Sequence, residues 1–167
     1  MRIGFFISLL IFFCITSCVS DKEEGPIVSD ATLFNLAQNV SSFTYYKNNT
    51  DTLIADQASP HGPFVRIRFN PKATSSMNGS VDNLLSLSFP DESMIVKEVY
   101  NQKGGSLVSY AIMYKLRSAA NNGSGWIWSE IHADENVETS ATLKGDQCVG
   151  CHSSGINSDL VKTFGLH

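Results

Sequence analysis

What the chain lacks narrows it first. Its 167 residues hold four cysteines, and two of them, Cys14 and Cys18, belong to the opening run MRIGFFISLLIFFCITSC. Cys148 and Cys151 remain, too few for a disulfide framework. No second C-x-x-C accompanies theirs, so a four-cysteine zinc site is excluded. Basic residues are outnumbered, 12 against 16 acidic, for a formal charge of −4, and they form no cluster. That balance argues against nucleic acid as a partner. No internal repeat is present, which excludes a solenoid. The apolar run from Ile3 to Ile15 is too short to be read directly as a membrane span.

That run, led by Arg2, has the layout of an export signal. Its end, Ile15-Thr16-Ser17-Cys18, resembles a bacterial lipobox. The resemblance implies cleavage before Cys18, lipid on that residue, and a membrane-anchored lipoprotein facing the periplasm or outer surface. Buried methylenes contribute roughly 0.8 kcal/mol each, so several chains anchor firmly. Val19 rather than Asp follows the lipid site, which favours an outer membrane where the host has two. The expected organisation is a signal over 1–17, a lipidated tether over 18–29 and one domain over 30–167. The tether VSDKEEGPIVS is polar and carries Gly25 and Pro26.

Within the domain, Leu33, Leu36, Ala37, Val40 and Phe43 recur at helical spacing behind Ser29 and Asp30, which predicts a helix over 30–46. A loop rich in Asn, Asp, Pro and Gly spans 47–63, with Leu53-Ile54 as an apolar interruption. FVRIRFN then alternates: Val65, Ile67 and Phe69 face one way, Phe64, Arg66 and Arg68 the other. Pro71 is expected to close that strand, with a loop behind it. Further strands are expected over 84–89, 93–100, 106–116 and 126–132, the third and fourth of the five forming a hairpin across NQKGG. Polar loop is expected to Gly145, and a helical turn or two after Gly155. The fold class is α+β: an antiparallel sheet of about five strands, an N-terminal helix, and a short C-terminal helix that carries the Cys148–Cys151 motif.

The chemistry concentrates in DQCVGCHSSG, 146–155. A thioredoxin-like redox pair would precede a βαβ unit, and none is readable here. His152 would be one further zinc ligand, but a fourth is missing. C-x-x-C-H is the signature of covalent haem attachment. Each thiol adds across a haem vinyl group, and the histidine that follows supplies the proximal nitrogen to iron. The expected cofactor is therefore one haem c, held by Cys148 and Cys151 with His152 as metal ligand. The sixth iron position then decides function. Met77, in a loop, is a ligand candidate for an electron carrier; Met94 and Met113 fall in strands and read as core. His61 reads as part of a Pro/Gly turn, His132 as an exposed strand end, and His167 is the last residue.

A haem motif this close to the end, behind a sheet, is unusual for a cytochrome c. The ordered pieces HGPFVRIRFNPKA, FPDESMIVKEVY, YAIMYK, GWIWSEI and CVGCHSSGINSDLVKT resemble the cytochrome P-460 family, which includes the β-sheet cytochromes c′. The resemblance covers about residues 30–164. It implies an antiparallel sheet packed on a five-coordinate haem, usually in a homodimer, that oxidises hydroxylamine or binds nitric oxide.

It also implies a lysine tied to the haem edge, and Lys97 in MIVKEVY is the best match. Ile95, Lys97 and Val99 share a face, and an ammonium there is costly to bury, which favours the neutral, nucleophilic amine. Lys103 lies in a turn, and Lys115 is the weaker alternative. Glu98 is expected to pair with Arg66 or Arg68, and those arginines are candidates to hold haem propionates. Trp126, Trp128 and Glu130 share a face; the tryptophans read as haem wall or core, and Glu130 as a candidate distal acid or base. Arg66 is the other catalytic candidate. Phe64, Phe69 and Phe89 are available for an apolar cap. The favoured function is binding of a small ligand such as nitric oxide. Oxidation of hydroxylamine, a related nitrogen compound or peroxide is the alternative, simple electron transfer the second, and a redox partner cytochrome is expected for either. Mass spectrometry of protein matured in a competent host should show a covalently added porphyrin; a bare polypeptide mass would end this reading.

Overall fold

Four long segments rich in β-branched and aromatic residues build the frame, because such side chains fit a pleated, half-buried surface. They are β3 (Phe64–Phe69), β4 (Met94–Tyr100), β5 (Leu107–Lys115) and β6 (Trp126–His132). Three short strands, β1 (Thr44–Tyr45), β2 (Leu53–Ile54) and β7 (Val137–Thr139), complete the sheet. Its order is β1-β3-β4-β5-β6-β7, with β2 also paired to β3, and every pairing is antiparallel. The helices are α1 (Asp30–Gln38), α2 (Pro71–Ser76) and α3 (Val149–His152). The computed structural model describes residues 24–39, 41–56, 59–77 and 88–163. Cys14, Cys18, Val40 and His167 lie outside them, as does most of the strand expected over 84–89. No helix among the described residues is long and apolar enough to cross a membrane.

Both faces of the sheet are covered. On one, Leu33, Phe34 and Ala37 of α1 pack against Met94, Val96, Ile112, Ile127 and Ile131. On the other, Val65, Ile67, Ile95, Met113 and Trp128 form a second core, joined by Cys148, Val149 and Leu160 from the C-terminal segment.

Several expectations need correction. The first helix ends at Gln38, not near 46: Thr44 and Tyr45 gain more by pairing with Phe69 and Arg68 on the edge of β3. Pro71 does not introduce a loop. Asn70 accepts a hydrogen bond from Ala73 N and Pro71 occupies the first helical position, so α2 starts there. The polar stretch after β6 returns as β7. After Gly155, Ser158 and Val161 first form a bridge around a tight turn, and helical backbone begins only at Thr163, the last described residue. The expected tether is pinned from Pro26, whose carbonyl accepts from Ala120 N, while Val28 exchanges two hydrogen bonds with the Asn121 side chain.

On the α1 face Glu98 receives the Arg66 Nε hydrogen bond, pairs with Arg68 Nη2 at 2.6 Å, and accepts from Tyr100 OH at 2.9 Å. Arg66 also stacks between the Tyr45 and Tyr100 rings. Arg68 is fully buried, so its charge depends on Glu98. Removing one partner of a buried pair strands the other. Glu98→Ala should therefore cost about 3–5 kcal/mol of stability, read from denaturant unfolding; a loss below about 1 kcal/mol would show that Arg68 is compensated elsewhere.

Candidate functional site

The alternation of β4 decides what faces the C-terminal segment. Lys97 lies opposite Ile67 on β3 and Ala111 on β5, and Ala111 lies opposite Glu130 on β6. These positions share the face turned away from α1. Ile67, Ile95, Ala111, Met113 and Trp128 line a small recess there of about 50 Å³. It adjoins a cleft of about 480 Å³ lined by His61, Lys97, Glu130, Cys148, Cys151, His152 and Lys162 among others. Organic ligand pockets span roughly 300–1,000 Å³.

A glycine brings the cysteine motif over this face. Gly145 has φ +72° and passes so close to the Trp128 indole that a Cβ would stand 2.3 Å from its Cδ1. Its carbonyl accepts from both Cys148 N and Val149 N at 2.9 Å, which starts the single turn of α3. That turn carries Cys148, Cys151 and His152 together. Cys148 is half-buried and Cys151 exposed. Burial, then the negative charge of Glu130 and a charged Cys151, push the Cys148 thiol up.

His152 Nδ1 stands 2.8 Å from the Leu160 carbonyl. A carbonyl only accepts, so Nδ1 carries the proton and Nε2 keeps its lone pair. The ring meets Trp128 edge-on at 4.8 Å between centroids and His61 at 6.4 Å. Burial, followed by the neighbouring Lys97, His61 and Lys162 charges, lowers the His152 pKa to about 4, against a partial opposing effect of the Leu160 bond. The imidazole is thus neutral at pH 7, the form a metal requires.

Facing it are three groups able to move protons. His61 Nδ1 donates to Glu130 Oε2 at 3.3 Å, and Ser109 Oγ donates to Oε1 at 3.3 Å. Burial alone would push the Glu130 carboxyl up. The His61 and Ser109 hydrogen bonds and the His61 and His132 charges outweigh it and hold the carboxyl below its usual range. The pairing of β6 with β7 shifts register just past Glu130, a device that re-aims side chains near sites. Lys97 is lowered to about 8, first by burial and then by Lys162, with Glu130 and Cys151 opposing.

The structure brings Cys148, Cys151, His152, Lys97 and Glu130 into one cleft. It does not bring Arg66 or Arg68 there. Both point to the α1 face and spend their charge on Glu98, which corrects their assignment as propionate partners and that of Arg66 as a catalytic candidate. Phe64 shares that face, Phe69 and Phe89 sit in the core, and Met77 is buried where α2 ends. Met94 packs under α1, and Met113 is part of the recess. His132 is half-buried beside Glu138, and Lys115 is consumed by Asp159 at 2.8 Å. His61 was read from its sequence as a turn residue. Its partner Glu130 lies 69 positions away, and no spacing rule reports such a contact.

The donor set suits a large group held by two sulfurs and one imidazole nitrogen. Among the described residues no three His, Cys, Asp or Glu side chains converge on a point as a bare ion would need. A family model described as Cytochrome P460 matches residues 44–163, which include the whole cleft. No curated protein matches the chain. The Lys97 amine should react with an acylating reagent with a midpoint near pH 8, followed by mass mapping of its peptide. A midpoint near 10.5 would contradict its burial, and a peptide refractory at every pH would report a covalent bond already made.

Proposed function

The chain belongs to the cytochrome P460 family and is a haem cytochrome, and on that premise we propose that it is an oxidoreductase for a small nitrogen compound such as hydroxylamine. In this reading Cys148 and Cys151 hold the haem as thioethers and His152 Nε2 is its iron ligand. When bound, haem supplies an iron that coordinates the substrate and passes its electrons to an external redox partner. The protons are the chain's own task. The observation that carries the proposal is the Glu130–His61 pair in the same cleft as His152. Glu130 is a carboxylate at neutral pH and accepts a proton from the substrate, while the His61 Nδ1–H and the Ser109 hydroxyl, both donating to it, hold that carboxylate ionised and in place. Lys97, with its pKa near 8, keeps a fraction of neutral amine at pH 7. That amine suits it to the covalent haem link that the resemblance implies.

Sequence alone favoured simple gas binding, because it located no proton-transfer group beside the iron. The contacts of Glu130 and His61 remove that reason. The apolar recess of Ile67, Ile95, Ala111 and Met113 supports the second reading, in which a diatomic such as nitric oxide is held without turnover.

Purified holoprotein should oxidise hydroxylamine with an artificial one-electron acceptor. Glu130→Gln should lower the rate by roughly 10²–10⁴-fold while the absorption spectrum is kept. Tight nitric oxide binding with no acceptor reduction in the wild-type protein would leave the gas-binding reading instead.

A further inference from the structure

The acceptor for His152 Nδ1–H is a carbonyl from a strained turn. Asp159 and Leu160, neither of them glycine, take φ values of 50° and 69° in succession. The leucine side chain has no polar group to compensate the left-handed conformation, so the surroundings must impose it; Leu160 N donates to Asn157 Oδ1 at 3.3 Å. Those surroundings converge on Asp159. Its carboxylate pairs with Lys115 Nζ at 2.8 Å through Oδ1 and accepts from Phe89 N at 2.8 Å through Oδ2. Its own carbonyl accepts from Trp126 Nε1 at 2.9 Å. Lys115 is buried beneath the Trp126 ring, with Nζ 4.8 Å from the ring centroid. Ser158 and Val161 close the turn with two backbone hydrogen bonds. The product of this arrangement is a Leu160 carbonyl aimed at His152 Nδ1.

A buried lysine that merely fastened a tail would not need two left-handed residues beside it. We propose that Lys115 and Asp159 are positioning residues for His152: their ion pair fixes the turn whose carbonyl holds the imidazole proton and thereby tunes the iron. The proposal rests on His152 being the iron ligand. A firm Nδ1–H···O=C bond gives the ring partial imidazolate character, makes Nε2 a stronger donor, and favours ferric over ferrous iron. Releasing the turn weakens that bond and does the reverse.

Resonance Raman of the ferrous holoprotein and a redox titration test this. Lys115→Met and Asp159→Ala should lower the iron–histidine stretching frequency. They should also raise the potential by roughly a tenfold change in the one-electron equilibrium, about 59 mV. Asp159→Asn tolerates the left-handed backbone and keeps an acceptor for Phe89 N, so it should fold readily and shift both readouts the same way by less. Wild-type frequency and potential in whichever of these variants carry haem would overturn the proposal, whatever their loss of stability. Absence of any iron–histidine band in the wild-type protein would instead remove His152 as ligand, the reading beneath it.

Discussion

A strand covered on both sides sorts its side chains by alternation, and β4 is the strand on which that sorting matters. Lys97 and Glu98 are neighbours in sequence and part completely in space. Glu98 bridges two arginines under α1, while Lys97 enters the cleft with His152. The Arg66–Glu98 pair joins residues directly opposite in register, so it also fixes how β3 and β4 align. A slip of one residue would put Glu98 in the cleft and Lys97 beneath the helix. The site, the core under α1 and the position of Glu130 across β5 all inherit this register.

Burial sets the charge of His152 and Lys97 in the cleft, and partners set that of Glu130. Glu130 keeps its negative charge because His61 and Ser109 donate to it. His152 is neutral because it is buried among cations and its one bonded partner is an uncharged carbonyl. The two environments push a carboxylate and an imidazole apart in protonation although they line one cavity. Such divergence is what separates proton acceptors from metal ligands.

Much of this was readable before any fold was known. The period-two pattern of FVRIRF, the β-branched run of β4 and the WIWSEIH strand are local signals, and the structure places β6 at the bounds read from sequence. The cysteine motif is local as well. What failed was relational. Alternation showed that Arg66 and Ile67 face opposite ways, but only pairing reveals which side carries the cleft. The helix expected to run to residue 46 stops where an edge of β3 competes for the chain. His61, β7 and the Leu160 carbonyl are positioned by contacts across many residues or by backbone alone, and neither leaves a periodic trace.

The outer strands carry a consequence of a different kind. β3 is flanked on its free side by two patches of two residues each, with β1 beside Arg68 and Phe69 and β2 beside Phe64 and Val65. At the far side β7 is three residues long and joins through an irregular register. Among the described residues neither border offers a long flat row of free amides and carbonyls, the template on which stray chains stack into fibrils. Assembly of two copies by continuing one sheet into the next is disfavoured for the same reason, so any lasting association has to be made by side chains.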